Sequence, residues 1–139
     1  MKRIIYAAAF VLFLFSTGVF AQKLEDGSRR TIGYISSGGT VEDGSRRTLG
    51  YVDDSGRVED ASRRTIGYID EKGRVEDGSH RTLGYINLGG SIENSSHSTL
   101  GYVNSNGRVE NSSRSTIGYA EGVKLEHAAA FFFFFFYDK

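Results

Sequence analysis

Six glutamates, Glu25, Glu42, Glu59, Glu76, Glu93 and Glu110, each precede an aspartate or an asparagine. Paired carboxylates are the machinery of glycoside hydrolysis. Neighbours on a strand point to opposite faces, however, and six copies argue against one active site. His80 and His97 stand 17 residues apart. They fill the slot that Arg29, Arg46, Arg63 and Arg114 fill elsewhere, so they read as repeat-slot polar residues. The chain has no cysteine and no third histidine converging on them, as a zinc site would need. "DDSGRVED", Asp53 to Asp60, is rich in oxygen ligands but lacks the spacing of a calcium-binding EF-hand. "SSGGT" and "NLGGS" lack the Gly-Lys-Ser/Thr of a phosphate loop. "NSS" at Asn94 and Asn111 matches the glycosylation pattern only formally. No unrepeated cluster of nucleophile, base and acid exists. The sequence thus predicts no enzyme, no catalytic residue, no cofactor and no metal.

The elements that carry these residues repeat. Tyr34, Tyr51, Tyr68, Tyr85, Tyr102 and Tyr119 are 17 apart, as are Gly33, Gly50, Gly67, Gly84, Gly101 and Gly118. A fixed period of this kind marks a repeat architecture. In the unit "GRVEDASRRTIGYIDEK", Gly56 to Lys72, the stretch "TIGYI" suits a strand. Ile66 and Tyr68 point to one face, and Thr65, Gly67 and Ile69 to the other. "DEKG", Asp70 to Gly73, suits a type I turn followed by a left-handed residue. "RVE" returns as the partner strand, and "DGSHR" turns toward the next unit. Each repeat is a β-hairpin. One hairpin is barely stable alone, so the units must stack in an open solenoid or close into a ring. Gly67 and its equivalents sit inside a strand, which marks a close approach; a neighbouring tyrosine is the expected occupant.

The repeats serve as an internal comparison. Asp26, Asp43, Asp60 and Asp77 share one slot, and Arg30, Arg47, Arg64 and Arg81 the slot four residues on. In the last two units these become Asn94 and Asn111 with Ser98 and Ser115. Loss of both partners together predicts that the Asp and the Arg meet across the turn.

Both ends differ from the body. Residues 1–21 carry Lys2 and Arg3, an apolar run from Ile4 to Phe15, and a small-residue boundary before Gln22. This is the layout of a secretory signal peptide, too short for a membrane span. Export to the periplasm, the outer surface or the medium is expected, with no transmembrane anchor in the mature chain. Removing Lys2 and Arg3 from the 17 basic residues leaves 15 against 17 acidic ones, a net charge of −2. That balance argues against nucleic-acid binding. At the other end stands "AAAFFFFFFYDK". Phe131, Phe132, Phe133, Phe134, Phe135 and Phe136 are apolar on every side in helix or strand, and in water they would drive aggregation. The axis of a closed ring offers walls all round, whereas the side of a solenoid offers one. Twelve residues span about 18 Å as a helix and about 40 Å as a strand, so length favours a short helix. The alternative is a membrane-inserting or sorting tail, although ten apolar residues cannot span a bilayer.

Five complete hairpins run from a Tyr to the next Glu. The remaining "KLE" (Lys23 to Glu25) and "TIGYAEGVKLE" (Thr116 to Glu126) are left to lock the seam or to complete a sixth petal. The repeated "VEDASRRTIGYID" units, the signal peptide and the Ala-then-Phe terminus together resemble the secreted bacterial five-fold β-flower proteins. The resemblance covers essentially the whole mature chain and implies a pseudo-five-fold ring. It carries over no functional residue, and the late units "NSSHSTLGY" and "NSSRSTIGY" depart from it by losing charges.

The expected fold is therefore all-β: a closed ring of 17-residue hairpin repeats around an apolar C-terminal segment. Residues 1–21 form the signal peptide, 22–126 the ring and 127–139 the plug, with His127 at the rim. The expected role is structural or binding, toward a glycan or an envelope component. Tyr34, Tyr51, Tyr68, Tyr85 and Tyr102 are expected to pack on the phenylalanines, which need aromatic walls. The alternative is that they form a multivalent surface for glycans or cell-wall polymers.

Overall fold

The computed structural model describes residues 21–138; the signal-peptide reading falls on residues outside this range, apart from Ala21. Twelve strands follow in order: β1 (Ala21–Asp26), β2 (Thr31–Ser36), β3 (Thr40–Asp43), β4 (Thr48–Val52), β5 (Arg57–Asp60), β6 (Thr65–Ile69), β7 (Arg74–Asp77), β8 (Thr82–Ile86), β9 (Ser91–Asn94), β10 (Thr99–Val103), β11 (Arg108–Asn111) and β12 (Thr116–Tyr119). Each pairs antiparallel with its neighbours in sequence, and β1 meets β12, so the sheet closes into a barrel. Five hairpins, from β2–β3 to β10–β11, are contiguous in the chain. The sixth is composite: the two ends pair through Glu25↔Tyr119 and Asp26↔Gly118. The leftover segments thus do both things open to them: they lock the seam and complete a sixth petal.

Two kinds of turn alternate. At one mouth, turns such as Asp70–Gly73 end in a glycine with φ 91°, and the Gly73 N–H donates to the Asp70 carbonyl at 3.0 Å. At the other mouth the left-handed residue is Arg29, Arg46, Arg63, His80, His97 or Arg114, with φ between 67° and 72°. Beyond that turn each unit carries a bulge. Val58 faces Gly67 and Glu59 faces Thr65, leaving Ile66 as the extra residue. Such bulges bend the strand and increase its twist, which helps a sheet of short strands to close.

The interior is built in layers. Ile35, Val52, Ile69, Ile86, Val103 and Ala120 form one ring of buried side chains, and Leu24, Val41, Val58, Val75, Ile92 and Val109 a second. A third layer holds Gly33, Gly50, Gly67, Gly84, Gly101 and Gly118, which have no side chain. The C-terminal segment complements this profile. Helix α1 (Leu125–Ala129) continues as a π-helix (Ala130–Phe135). Ala128, Ala129 and Ala130 are fully buried in the same apolar cluster as the two side-chain layers. In the glycine layer the axis carries the six phenylalanines. Phe131 lies against Gly33, Phe132 against Gly118, Phe133 against Gly101, Phe134 against Gly84, Phe135 against Gly67 and Phe136 against Gly50. Successive rings thus visit successive repeats, once round the barrel.

This assignment accounts for the helix type. An α-helix rotates about 100° per residue, whereas six equivalent slots stand roughly 60° apart. A wider turn brings the rings closer to that spacing, and i→i+5 bonding widens the turn. The Phe136 N–H reaches the Phe131 carbonyl, and the Tyr137 N–H reaches the same oxygen at 2.8 Å. The expected helix is present, in a wider form than expected. The strand glycines are corrected: they make room for phenylalanine, not tyrosine. Phe131 and Phe132 are buried, and Tyr137 packs over both, with ring centroids 6.1 and 5.3 Å away. Phe133 to Phe136 are half-buried.

Among the described residues no helix is long and apolar enough to cross a membrane. The strands, of four to six residues, are shorter than the 9–11 that a membrane-spanning strand needs.

A Cβ at Gly67 would lie 2.5 Å from the Glu76 carbonyl oxygen and 2.5 Å from the Phe135 ring. Gly67→Ala should therefore cost about 3 kcal/mol in urea denaturation, the upper end of overpacking penalties. Gly38→Ala, whose Cβ would approach nothing closer than Ser36 Oγ at 3.8 Å, should stay within about 0.5 kcal/mol of the parent.

Candidate functional site

The polar residues singled out by their spacing converge on the outer wall. Each tyrosine pairs across its hairpin with a glutamate, as in Tyr34↔Glu42 and Tyr68↔Glu76. The left-handed residue of the following turn folds back over the tyrosine ring. The guanidinium carbons of Arg46, Arg63 and Arg114 lie 3.7, 3.6 and 3.6 Å from the centroids of Tyr34, Tyr51 and Tyr102. Arg29 covers Tyr119 at 3.7 Å. His80 and His97 stack on Tyr68 and Tyr85, with ring centroids 4.4 and 4.2 Å apart. The same residue also holds the glutamate four positions before it: Arg63 donates to Glu59 at 3.1 Å, and His80 Nδ1 meets Glu76 at 2.9 Å. The result is a belt of six Tyr–Arg/His–Glu clusters, one per repeat.

This geometry explains why glycine does not occupy the left-handed turn position. A non-glycine residue there costs about 1–2 kcal/mol, but glycine has no side chain to close the cluster. Stacking a cation on an aromatic face returns about 0.5–1 kcal/mol at an exposed site, and the ion pair adds to it. Glu59 and Glu110 are buried, and each has two arginine partners, Arg57 with Arg63 and Arg108 with Arg114. Burial pushes the Glu110 carboxyl up. Hydrogen bonds from Arg114 and Asn104 and the charge of Arg108 outweigh it and hold the group below its usual value.

The tyrosines therefore do not pack on the phenylalanine plug. Strand alternation places Gly67 and Ile69 inside with the plug and Tyr68 outside with Glu76, and the arginines supply the cover expected from the core. The pairing inferred from the joint loss of Asp and Arg is present: Asp26–Arg30, Asp43–Arg47, Asp60–Arg64 and Asp77–Arg81 lie 3.0, 3.0, 3.2 and 3.0 Å apart. Each of these aspartates also accepts two backbone N–H groups. For Asp43 the donors are Arg47 and Ser45, and together with the Arg47 side chain they hold its carboxyl below the ordinary range. Asn94 and Asn111 keep the two backbone bonds without the ion pair. No group of three or more potential metal ligands exists among the described residues.

A closed antiparallel ring of 17-residue hairpins, plugged by a phenylalanine run, matches one family: residues 21–136 fit the description "5-fold beta-flower protein". The chain belongs to the 5-fold beta-flower family. No curated protein and no solved structure matches it. The ring of this beta-flower has six petals, five hairpins contiguous in the chain and the composite sixth that closes it.

One side chain of this beta-flower stands outside the repeat scheme. His127, expected at the rim, is only 6% exposed. It sits on α1 where the chain leaves the wall for the axis, beside the turn from Asp53 to Gly56. Burial pushes it below its ordinary value, and Lys124 adds to this against the opposing pull of Glu126 and Asp54. Only its isolation in the sequence, one histidine before an apolar run, pointed to it.

Two outcomes follow from this geometry. Arg63→Ala keeps the left-handed backbone and loses the stack and the ion pair, while Arg63→Gly loses the same contacts without the strain. The Gly variant should be the more stable of the two by about 1 kcal/mol in urea denaturation. For His127 the folded pKa lies below the unfolded value near 6.5. The unfolded chain therefore binds more protons, and stability present above that value falls as pH drops through it. Melting temperature should decline from pH 7 to pH 5, and His127→Gln should flatten the decline.

Proposed function

We propose that the protein is an exported, non-enzymatic repeat module with a structural or binding role in the cell envelope or outside it. The observation that supports this reading most is the mutual satisfaction of its polar clusters. Every glutamate of the belt is held by the arginine or histidine that covers the neighbouring tyrosine, in six equivalent copies. A catalytic site needs one asymmetric cluster with a group free to move a proton, and the belt offers none. The axis, where small closed barrels hold a ligand, is filled by the chain's own phenylalanines. Export rests on the signal-peptide pattern of residues 1–21. Its boundary falls beside Gln22, which pairs with Ile35 in β1–β2, so removal of the leader leaves the ring's first strand in place.

A second reading is multivalent glycan or cell-wall binding through Tyr34, Tyr51, Tyr68, Tyr85 and Tyr102. Their position on the outer wall favours it, because aromatic faces are the natural platform for the apolar side of a sugar ring. The arginine or histidine over each ring would have to swing aside.

A panel of purified glycans and cell-wall polymers, offered to the protein and to a Tyr51→Ala/Tyr68→Ala double variant, separates the two. Absence of saturable binding and of turnover of ester, peptide and glycoside substrates is the outcome expected of a structural module. Binding that the double variant loses establishes the glycan reading. Turnover of any substrate overturns the non-enzymatic one.

A further inference from the structure

The mouth of the barrel where α1 enters is not flat. Three cavities of about 290, 210 and 180 Å³ lie between the turns and the start of the helix. The first two share Leu88 and Leu125, and the last two share Ile69, Asp70, Glu71 and Glu126. They adjoin one another around the base of the plug, as a segmented groove with Leu88 and Leu125 at one junction and Asp70, Glu71 and Glu126 at the other.

Its character changes along its length. One end is uncharged, formed by Leu88, Val103, Ala120, Val123 and Leu125 with Asn104 and Ser105 at its edge. Leu88 is 99% exposed. In the same turn slot the other contiguous hairpins carry Ser37, Asp54, Glu71 and Ser105, so folding does not require an apolar residue there. The other end carries Asp53, Asp54, Asp70, Glu71 and Glu126 against two lysines, Lys72 and Lys124. One oxygen each of Asp53 and Asp70 accepts N–H groups of its own turn, while the Arg57 and Arg74 guanidinium groups stay 3.8 Å from the other oxygen, and Lys124 reaches Asp54 at 3.9 Å. His127, more than nine-tenths buried, lines this acidic end. Its ring has no hydrogen-bond partner among the described residues, and a buried polar group without one is costly.

We infer that this groove is a docking site for an extended peptide segment of a partner protein, one that carries an aliphatic side chain at one end and Lys or Arg at the other. The aliphatic group covers Leu88 and fills the cavity beside it. The cations lie against the Asp53, Asp54, Asp70 and Glu71 carboxylates, and the segment supplies the partner that the His127 ring lacks. The two ends are separated by roughly two repeats, on the order of 20 Å along the wall, which an extended chain covers in about six residues. The inference rests on the binding role proposed above but not on the tyrosine belt. Its failure leaves the glycan reading standing, and turnover of a substrate would sink that role without touching the peptide measurement.

Fluorescence anisotropy of the full chain with a blocked six-residue probe, leucine at one end and two arginines at the other, tests it. Saturable binding is expected, at least tenfold weaker for Leu88→Ser and for Asp54→Asn/Glu71→Gln. All three positions lie at exposed turn tips, so melting temperatures should be unchanged. Equal binding of a probe with aspartates in place of the arginines overturns the inference, as does no binding of either. Sedimentation that shows a dimer dissociated by Leu88→Ser overturns it in favour of a second copy of this chain.

Discussion

The interior of a ring this small must be filled at every height, and no single residue type can fill it from both sides at once. The wall and the axis divide the space between them. Where twelve inward side chains crowd the lumen, the axis carries Ala128, Ala129 and Ala130. Where the wall retreats to bare backbone at Gly33 and its equivalents, the axis carries phenylalanine. Protein interiors tolerate neither voids nor overlap, so each profile is meaningful only beside the other. The wide final helix follows from the same requirement, because it is the geometry that delivers one ring to each repeat.

The outer wall answers a different demand. Short hairpins present half-exposed backbone and charged turns to solvent, and an isolated surface ion pair is worth little. The clusters here couple three interactions in one side chain: it sets the turn, covers an aromatic face and holds a carboxylate. The left-handed conformation is what aims Arg46 back over Tyr34, so the strain and the stacking are parts of one device. Replacement of arginine by His80 and His97 preserves the stack with a flat ring of another kind.

Much of this was legible in the sequence. The period, the hairpins, the glycine turns and the Asp–Arg pairs follow from spacing and local chemistry, and the phenylalanine run demanded an enclosed axis. The direction in which the tyrosines point was not legible. In "TIGYI" both faces carry an apolar residue, Ile66 on one and Ile69 on the other, so alternation alone cannot say which faces inward. The bulge at Ile66 leaves no compositional trace. The glycines announced a close approach, but the aromatic that fills it lies some seventy residues away for Gly67 and almost a hundred for Gly33, beyond any local pattern. His127 looked peripheral because it precedes the plug, and is buried because the helix, exposed at Glu126, enters the mouth at this residue.

The one-ring-per-repeat indexing has an evolutionary corollary. Tandem arrays ordinarily grow or shrink by duplication or loss of a unit, since each unit contacts only its neighbours. Here a seventh hairpin would widen the lumen and set its slots roughly 50° apart, farther still from the pitch of any common helix. A matching tail would need a seventh phenylalanine and a turn wider than its hydrogen bonds now span. Copy number in the body and residue count at the tail are thereby tied together, and a change in one without the other leaves either a hole or a displaced ring.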